Sequence, residues 1–442
     1  MYIQLVSNPS FIDSLNLQLF NRDDYKVMYL CQRYISFLTA HQEDCLSEAI
    51  IFDKPYQLLR ENYSDDELRL HGVFFSGREV AKQLLSCIQK YDYQHQVMDP
   101  CCGAGDLLLA YAVKLPPLAD PKTTILEWAK ILHGNDSNAD FVNITKLRLV
   151  LLANYILIPS ITIQEVISTW EQYTFPFLTV GNALDINTPD IDIVLLNPPY
   201  QQIVVNKIYS WGKGKISMAA VFIYEFYYKY PKAIIAAILP DVIRSGSRYI
   251  KLRQDLSMFP WKCAQIYGRF DKRTDVDVFT ISNNSKIFFQ NNKNIKKNTK
   301  TIASYFFVHV GSVVPHRDPI KGPSHFFLTA KNLPSKGEVT SFTETRKSLR
   351  TPHKGPFLVM RRTSSPTDKV RCATTIINSA EDFFIENHLI VLIPKNGKLE
   401  TCRAAYNFLV SQQCNTIVNK MIRCRHLTTS AISNLPYIEE KE

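Results

Sequence analysis

The stretch Ile191-Asp192-Ile193-Val194-Leu195-Leu196-Asn197-Pro198-Pro199-Tyr200 decides the fold of this chain. Its first six residues are mostly β-branched or apolar, which predicts a buried strand. The two prolines then end the strand, because proline has no N–H to donate to a sheet. An amide and an aromatic ring therefore follow the carboxyl end of a strand, where open α/β sheets bind ligands. The alternative is a strand that simply ends in two prolines, with tyrosine as its cap.

A glycine turn lies upstream, in Asp99-Pro100-Cys101-Cys102-Gly103-Ala104-Gly105-Asp106. It follows the short strand Gln96-Val97-Met98 and precedes an apolar helix from Leu107 to Val113, an arrangement that brings backbone close to a nucleotide-like ligand. A single G-x-G also serves tight turns alone, and the lysine of a phosphate-binding loop is absent. Asp99 and the adjoining Pro100 make the match more specific.

Three further polar residues stand at predicted element ends. Ser76 is a candidate N-cap, with Glu79 three residues later as in a capping box, and the N–H groups of such a helix start can hold a carboxylate. Asp136 ends the next strand, where a carboxylate suits a ribose diol, although it could also be a helix N-cap. Asn182 follows a third strand and could bind an adenine edge or merely close a turn.

The pattern after Tyr200 completes an α/β sheet. Residues 201–217 are polar, contain glycines and predict a mobile loop beside the site. The pattern then predicts a helix, a buried strand at 233–239, and a hairpin formed by 263–270 and 276–281. Repeated β-α alternation ending in a hairpin predicts a doubly wound, Rossmann-like sheet with an antiparallel edge.

Charge divides the chain. Its net charge is +10, yet residues 1–290 hold 28 Lys and Arg against 30 Asp and Glu, whereas residues 291–442 hold 23 against 11. We expect a helical N-terminal extension at 1–70, a catalytic domain at 71–290, a polar linker at 291–300 and a mixed α+β domain at 301–442, with one helix at 401–422. The basic C-terminal domain favours a polyanionic partner; the alternative is a solvated basic surface.

Other features narrow the class of protein. No segment approaches the roughly 20 apolar residues of a membrane span, and the N-terminus lacks the features of a signal peptide. The ten cysteines show no C-x-x-C spacing or histidine framework, so we expect no zinc site and a reducing, cytoplasmic location.

Taken together and in this order, the motifs resemble the γ-type N6-adenine DNA methyltransferases, which use S-adenosylmethionine. The resemblance covers about residues 70–290 at the level of motifs. It implies a cofactor site formed by Phe75, Ser76, Asp99, Gly103, Gly105, Asp136 and Asn182. The chain has Ser76-Gly77 where the family has Thr-Pro, and Asn182 where the family often has aspartate.

The resemblance also implies the catalytic loop Asn197-Pro198-Pro199-Tyr200. Adenine N6 is a poor nucleophile because its lone pair is delocalised into the ring. The Asn197 oxygen and the Pro198 carbonyl can each accept one N6–H bond and localise that lone pair. The base must leave the helix, and Tyr200 would stack on one face of it, with Phe270 on the other. The alternative for Phe270 is a hairpin core position.

The same tetrapeptide also serves enzymes that methylate RNA bases or protein glutamine, and a non-catalytic DNA-binding protein could share the scaffold. The basic C-terminal domain favours double-stranded DNA, and a restriction–modification setting would add a cognate restriction endonuclease as a partner. Candidate DNA contacts, with ordinary surface arginines as the alternative, are Arg317, Arg361, Arg362, Arg423 and Arg425. The oligomeric state is not predictable from the sequence.

Overall fold

The computed structural model describes residues 29–64, 76–188, 190–261, 264–269, 276–284 and 300–437. The chain divides into two compact units. The first unit lies within residues 1–293, and the second within residues 294–442 together with 245–247. The predicted linker at 291–300 lies outside the described residues except for Lys300, as do residues 1–28 and 65–70 of the predicted extension.

One seven-stranded sheet organises the first unit. The strands of this unit are β1 (Val97–Asp99), β2 (Leu132–Asp136), β3 (Leu178–Val180), β4 (Ile193–Leu196), β5 (Gln202–Tyr209), β6 (Gly212–Ser217), β7 (Ile234–Pro240), β8 (Gln265–Arg269) and β9 (Asp277–Ser282). The sheet order is β3-β2-β1-β4-β7-β9-β8. Neighbouring strands from β3 to β7 are parallel, whereas β9 is antiparallel to both β7 and β8. The doubly wound sheet with an antiparallel edge hairpin is confirmed.

Helices pack against this sheet. Those within the described part of residues 29–284 are Leu30–Ala40, Glu48–Phe52, Lys54–Asn62, Gly77–Leu85, Asp106–Ala112, Pro121–Ile131, Ala139–Leu157, Ile163–Ile167, Met218–Lys229, Asp241–Ser245 and Ile250–Asp255. Ala139–Leu157 contacts both β2 and the helix Leu30–Ala40. Buried side chains from residues 30–59 therefore share one core with the sheet. Across the described ranges, no helix is both long and apolar enough to cross a membrane.

The strand order reverses direction at β1 and β4. These two strands lie side by side, with Val97 opposite Ile193 and Met98 opposite Val194. The chain runs from β1 toward the β3 edge of the sheet and from β4 toward the β8 edge. This divergence opens a crevice beyond the carboxyl ends of β1 and β4. The glycine turn after β1 and the tetrapeptide after β4 consequently meet at that crevice.

Residues 202–217 form a hairpin, so the prediction of a loop there was wrong. Strands β5 and β6 pair in antiparallel fashion. At the hairpin end, Tyr209 and Trp211 stack with their ring centroids 4.7 Å apart and are buried. Tyr209 also packs edge-on against Tyr224 of the helix Met218–Lys229. These aromatic contacts stabilise a segment whose glycines and lysines conceal its strand pattern.

Two smaller sheets form the second unit. Its strands are β10 (Phe306–Val310), β11 (Ser324–Leu328), β12 (Gly337–Val339), β13 (Thr345–Lys347), β14 (His353–Lys354), β15 (Phe357–Arg361), β16 (Thr374–Ile377), β17 (Asp382–Ile385) and β18 (Leu389–Pro394). One sheet has the order β10-β18-β15-β16-β12 and the other the order β13-β11-β17-β14. The central strands β15 and β18 are almost fully buried and supply much of the core.

The second unit ends in short helices. These are Leu399–Leu409, Gln412–Met421 and Thr429–Ser433, and a further turn of helix, Ile302–Tyr305, precedes β10. The single helix predicted at 401–422 is therefore two helices. Ser411 causes the break, because its hydroxyl accepts a hydrogen bond from Cys414 N–H at 3.1 Å and caps the second helix.

Candidate active site

Asn197 lies directly after β4, and its side chain is 9% exposed. Its amide nitrogen donates to Ser76 Oγ at 2.9 Å. Its amide oxygen accepts from the Tyr200 hydroxyl at 2.8 Å. The nitrogen and the oxygen of the amide therefore have different partners, and these two bonds fix the orientation of the side-chain amide.

Tyr200 is buried in this structure, with 8% of its surface exposed. Burial raises the pKa of its hydroxyl well above the usual value, so the hydroxyl remains a neutral donor. Pro198 and Pro199 connect it to Asn197 and fix the backbone between them. Stacking on a flipped base would need the ring of Tyr200 to become accessible, and this role stays a prediction.

The glycine turn after β1 is tight. Gly103 and Gly105 both have positive φ, at 52° and 87°. A Cβ on Gly105 would lie 2.7 Å from Thr145 Cγ2, so any side chain here would collide with the helix Ala139–Leu157. Thr145 Oγ1 also donates to Gly103 O at 2.9 Å. The turn is therefore held against that helix with its backbone close to the crevice.

Carboxylates surround this turn. Gly103 N–H donates to Asp136 Oδ2 at 3.0 Å, and Cys101 N–H donates to Asp99 Oδ1 at 3.1 Å. Burial, together with the nearby charges of Asp136 and Asp106, raises the pKa of Asp99 to about 8. Burial raises the pKa of Asp136 to about 6. A cation bound here would offset the repulsion among these carboxyl groups and favour the ionised forms of Asp99 and Asp136.

Ser76 does not form the predicted capping box with Glu79. Ser76 has helical φ and ψ and makes no side-chain cap bond. The first N–H of the helix Gly77–Leu85 instead donates to Asp106 Oδ2 at 2.9 Å. A carboxylate from the glycine turn thus caps this helix and leaves the Ser76 hydroxyl for Asn197.

Arg148 is a residue of the site region that the sequence reasoning missed. Its guanidinium is completely buried and pairs with Asp106 Oδ1 at 2.9 Å. It also donates to the carbonyls of Ile51, Phe52 and Ala104. A single arginine within the apolar run 147–153 is a sequence signal for such a buried partner.

Asn182, a predicted cofactor residue, bonds to its own turn. The Asn182 side-chain oxygen accepts from Leu184 N–H at 3.2 Å and caps the 3₁₀ turn Ala183–Asp185. This bond closes the turn, which was the alternative to binding an adenine edge. Asp136 is not the N-cap of the following helix, because Asn138 takes that place. Phe75 and Phe270 lie outside the described residues.

One cavity joins the two halves of the site. It opens to solvent, and its volume is about 230 Å³ when that open space is included. Its lining residues are Ser76, Asp99, Cys101, Cys102, Gly103, Asp106, Leu107 and Asn197. Burial raises the pKa of both thiols well above the usual value, so Cys101 and Cys102 are neutral and poor nucleophiles. The polar groups that remain can bind a cation and orient an amine.

The candidate DNA contacts of the second unit differ in their settings. Arg317 has 69% of its side chain exposed, and its Nε is 3.8 Å from Asp318 Oδ1. Arg361 is half-buried and donates to Leu333 O at 3.1 Å, which is a structural contact. Arg362 and Arg423 are also half-buried, and Arg425 is exposed. Arg317 and Arg425 are thus the more accessible members of the set.

Comparisons with known proteins give one family and several distant structures. Residues 47–215 match the family model for the N-6 DNA methylases. No curated protein matches the chain. A modification subunit of a putative type I restriction enzyme from Vibrio vulnificus YJ016 is 15% identical and covers 53% of this chain and 49% of its own, with a TM-score of 0.36.

Two further structures are similar. The type IIL restriction-modification enzyme MmeI, solved in complex with DNA, is 11% identical and covers 95% of this chain and 72% of its own, with a TM-score of 0.46. A type I restriction-modification methyltransferase subunit from Streptococcus thermophilus is 19% identical and covers 54% of this chain and 50% of its own, with a TM-score of 0.33. Similarities this distant carry no argument about function, and the chain spans about half the length of the V. vulnificus subunit. The similarity to the N-6 DNA methylase family is thus confined to residues 47–215, the part of the chain that holds the glycine turn and the Asn197 tetrapeptide.

Proposed function

We propose that the protein is a site-specific DNA methyltransferase that methylates adenine N6 and uses S-adenosylmethionine. The observation that carries the proposal is the cavity lined by both the glycine turn and Asn197. The groups that the family resemblance assigns to the cofactor and to the acceptor therefore line the same cavity. The family match of residues 47–215 supports both the DNA substrate and the N6 position.

The residues of the cavity fit such a cofactor. Asp99 and Asp106 line the cavity, and Asp136 lies within hydrogen-bond distance of Gly103 N–H. A bound cation favours the ionised form of these carboxyl groups, so they suit a ligand that carries a sulfonium and an ammonium group. The positive φ of Gly103 and Gly105 lets the backbone approach that ligand. S-adenosylmethionine supplies a methyl group that is activated by its sulfonium sulfur. We assign Asp99, Gly103, Gly105 and Asp136 to its binding.

Asn197 would prepare the amine. Its oxygen and the carbonyl of Pro198 accept one N6–H bond each, which localises the nitrogen lone pair and directs it away from the ring plane. Neutral acceptors suffice, because the amine needs orientation more than it needs a strong base. Ser76 acts through Asn197: by accepting from the amide nitrogen at 2.9 Å, it keeps the oxygen available. No covalent bond to the protein is required.

Tyr200 has two roles in this proposal. In this structure its hydroxyl donates to Asn197 Oδ1 at 2.8 Å and holds the amide in place. When a flipped adenine enters, the ring would move to stack on the base, with Phe270 as a second platform. Base–aromatic stacking is worth roughly 1–3 kcal/mol, which offsets part of the cost of unstacking the base from the duplex.

Double-stranded DNA is the proposed substrate because the second unit is basic. Residues 301–442 hold 19 Lys and Arg against 11 Asp and Glu. An enzyme that methylates a protein glutamine has no need of such a surface, whereas phosphate contacts require one. A cognate restriction endonuclease is the partner we propose for a restriction–modification setting.

Asn197→Ala tests the proposal. We expect the wild type to incorporate N6-methyladenine into unmethylated duplex DNA, measured by mass spectrometry of the nucleosides. The variant should lose methyl transfer, since one of two N6–H acceptors is gone, yet still bind S-adenosylmethionine in calorimetry. The matched control is Asn154→Ala, which removes an amide of the helix Ala139–Leu157 that donates to Val150 O at 2.9 Å.

Three results would contradict the proposal. Near-normal methylation by Asn197→Ala would refute the role of the amide. Methylation of RNA or of a glutamine-containing peptide in place of duplex DNA would refute the substrate. Failure of the wild type to bind S-adenosylmethionine would leave a non-catalytic DNA-binding protein.

A further inference from the structure

Two loops of the second unit meet in one surface feature, which we call the loop tip: residues 314–323 and 348–351. The Asp318 carboxylate accepts twice from Arg350, from Nε at 3.0 Å and from a terminal nitrogen at 2.8 Å. Ser348 N–H donates to Pro323 O at 3.1 Å. A Cβ on Gly322 would lie 2.5 Å from Ser348 O, so the loops are in close contact.

The loop tip exposes two large apolar side chains. Ile320 is 71% exposed and Leu349 is 67% exposed, the highest values among the large apolar residues of the described second unit. The Leu349 side chain approaches Gly322, two residues after Ile320, so both apolar residues belong to the loop tip. A single exposed apolar residue is ordinary, but two on one ordered tip make it a candidate interaction surface.

Positive charge surrounds the apolar pair. Arg317 and Lys321 are exposed, and 44% of the Arg350 side chain is exposed. The only acidic residue of the loop tip is Asp318, and its carboxylate is already bound by Arg350. The surface therefore combines exposed cations with exposed apolar groups and offers no exposed carboxylate.

The loop tip is also preorganised. Asp318 Oδ2 accepts from Val314 N–H at 2.9 Å, which closes the first loop on itself. Arg346 donates to the backbone carbonyls of Asp318, at 2.9 Å, and of Pro315, at 3.3 Å. Because this network already holds the backbone, binding a partner would cost little ordering entropy.

We propose that the loop tip is a DNA-reading surface in which Arg317 and Lys321 contact phosphates while Ile320 and Leu349 contact bases in a groove. This inference rests on the proposed function and deepens it. Duplex DNA combines a polyanionic backbone with apolar base surfaces and thymine methyl groups, so it complements both parts of the surface. Apolar side chains beside basic ones also serve to wedge between base steps.

The test measures duplex binding by three variants of the full-length protein. Methylation-aware sequencing with the wild type first identifies a methylated duplex and an unrelated duplex. Arg317→Ala should weaken binding to both duplexes equally and lower the slope of log K against log salt by about 1. Ile320→Ala/Leu349→Ala should weaken binding to the methylated sequence about tenfold more than to the unrelated one, as loss of base contacts does.

Phe307→Ala is the matched control, because Phe307 is 60% exposed on β10 of the same unit and lies outside the loop tip. All three variants change exposed side chains, and unaltered S-adenosylmethionine affinity and melting temperature establish that each has folded. Wild-type binding and methylation by both tip variants would overturn the loop-tip proposal and leave the proposed function intact. Failure of the wild type to bind any duplex would instead refute the proposed function. Tighter binding of an RNA hairpin than of duplex DNA, lost in the tip variants, would overturn the choice of partner.

Discussion

Two aspartate–arginine pairs hold loops beside candidate ligand surfaces, and their settings are opposite. Asp106 pairs with Arg148, whose side chain is completely buried, whereas Asp318 pairs with Arg350, whose side chain is 44% exposed. A buried guanidinium has lost its hydration and needs protein carbonyls to replace it, as Arg148 has. The Arg148 pair thus acts as internal scaffolding beside a cavity, whereas Arg350 stays partly exposed beside cations that a polyanion can reach.

A carboxylate beside the cavity, Asp99, and one in the loop tip, Asp318, also differ in pKa. Burial raises the pKa of Asp99 to about 8. The Arg350 guanidinium and the Val314 N–H lower the pKa of Asp318 below its usual range. The charge of Asp99 is therefore poised to change when a ligand binds, whereas the Asp318 carboxylate stays ionised over the physiological range.

Breaking the buried pair should have the largest effect. Arg148→Met leaves Asp106 without its partner in the interior and releases three carbonyls, which should lower the free energy of unfolding by about 3–5 kcal/mol. Arg350→Met, the exposed counterpart, should leave stability nearly unchanged. Urea unfolding followed by circular dichroism measures both. Equal losses in the two variants would refute the contrast between the pairs.

Titration of Asp99 should have the next largest effect. A cationic cofactor favours the ionised form of Asp99. The affinity for S-adenosylmethionine should therefore rise by up to about tenfold per pH unit as the pH approaches 8, and should level off above it. Calorimetry in buffers of different ionisation enthalpy measures the affinity and the proton release. Asp99→Asn should remove this part of the pH dependence, while the titration of the ligand itself remains.

Stability should respond to Asp99 in the opposite direction. The folded pKa of about 8 lies above that of an unfolded aspartate, about 3.9, so the folded state holds the extra proton in that window. The stability contributed by this group is present at low pH and is lost as pH rises to 8. Asp99→Asn should therefore melt at a higher temperature than the wild type at pH 8. A wild type that loses no stability relative to Asp99→Asn between pH 6 and 8 would contradict the raised pKa.

Ser76→Ala should have a smaller effect than the changes at Arg148 and Asp99. One hydrogen bond of about 1 kcal/mol is lost, so single-turnover methyl transfer should slow by roughly tenfold at most. Cofactor affinity should stay the same, because the bond of Ser76 is to Asn197. Ser76→Thr, which keeps the hydroxyl, should restore the rate. Weaker cofactor binding with an unchanged rate would instead support the cofactor role that the family resemblance implies.

Much of the first unit was predictable from local sequence. The apolar run that ends at Asn197, the glycine turn and the final hairpin each carry their signal within a few residues, and the sheet follows from their order. The hairpin of β5 and β6 was not predictable, because burial of Tyr209 and Trp211 against a helix overrides a polar, glycine-containing pattern. The break at Ser411 was missed because a serine within an amphipathic run does not by itself end a helix.

The site shows the same division. The chemical type of the site groups was readable from the sequence: an amide directly after a strand-forming run, glycines where φ is positive, and aspartates at strand ends. The partners of these groups were not readable. Ser76 and Asn197 lie 121 positions apart in the chain, as Asp106 and Arg148 lie 42 apart, and only packing brings each pair together.

The sequence alone determined the class of fold, the place of the site at the carboxyl ends of β1 and β4, and the excess of positive charge in the C-terminal part. These follow from periodicity, turn chemistry and composition, which act over short distances. The tertiary structure decided that Ser76 binds Asn197, that burial raises the pKa of Asp99, and that Ile320 and Leu349 share a tip with Arg317. Hydrogen-bond partners, desolvation and exposure depend on which distant segments come into contact, and this is the information that local sequence lacks.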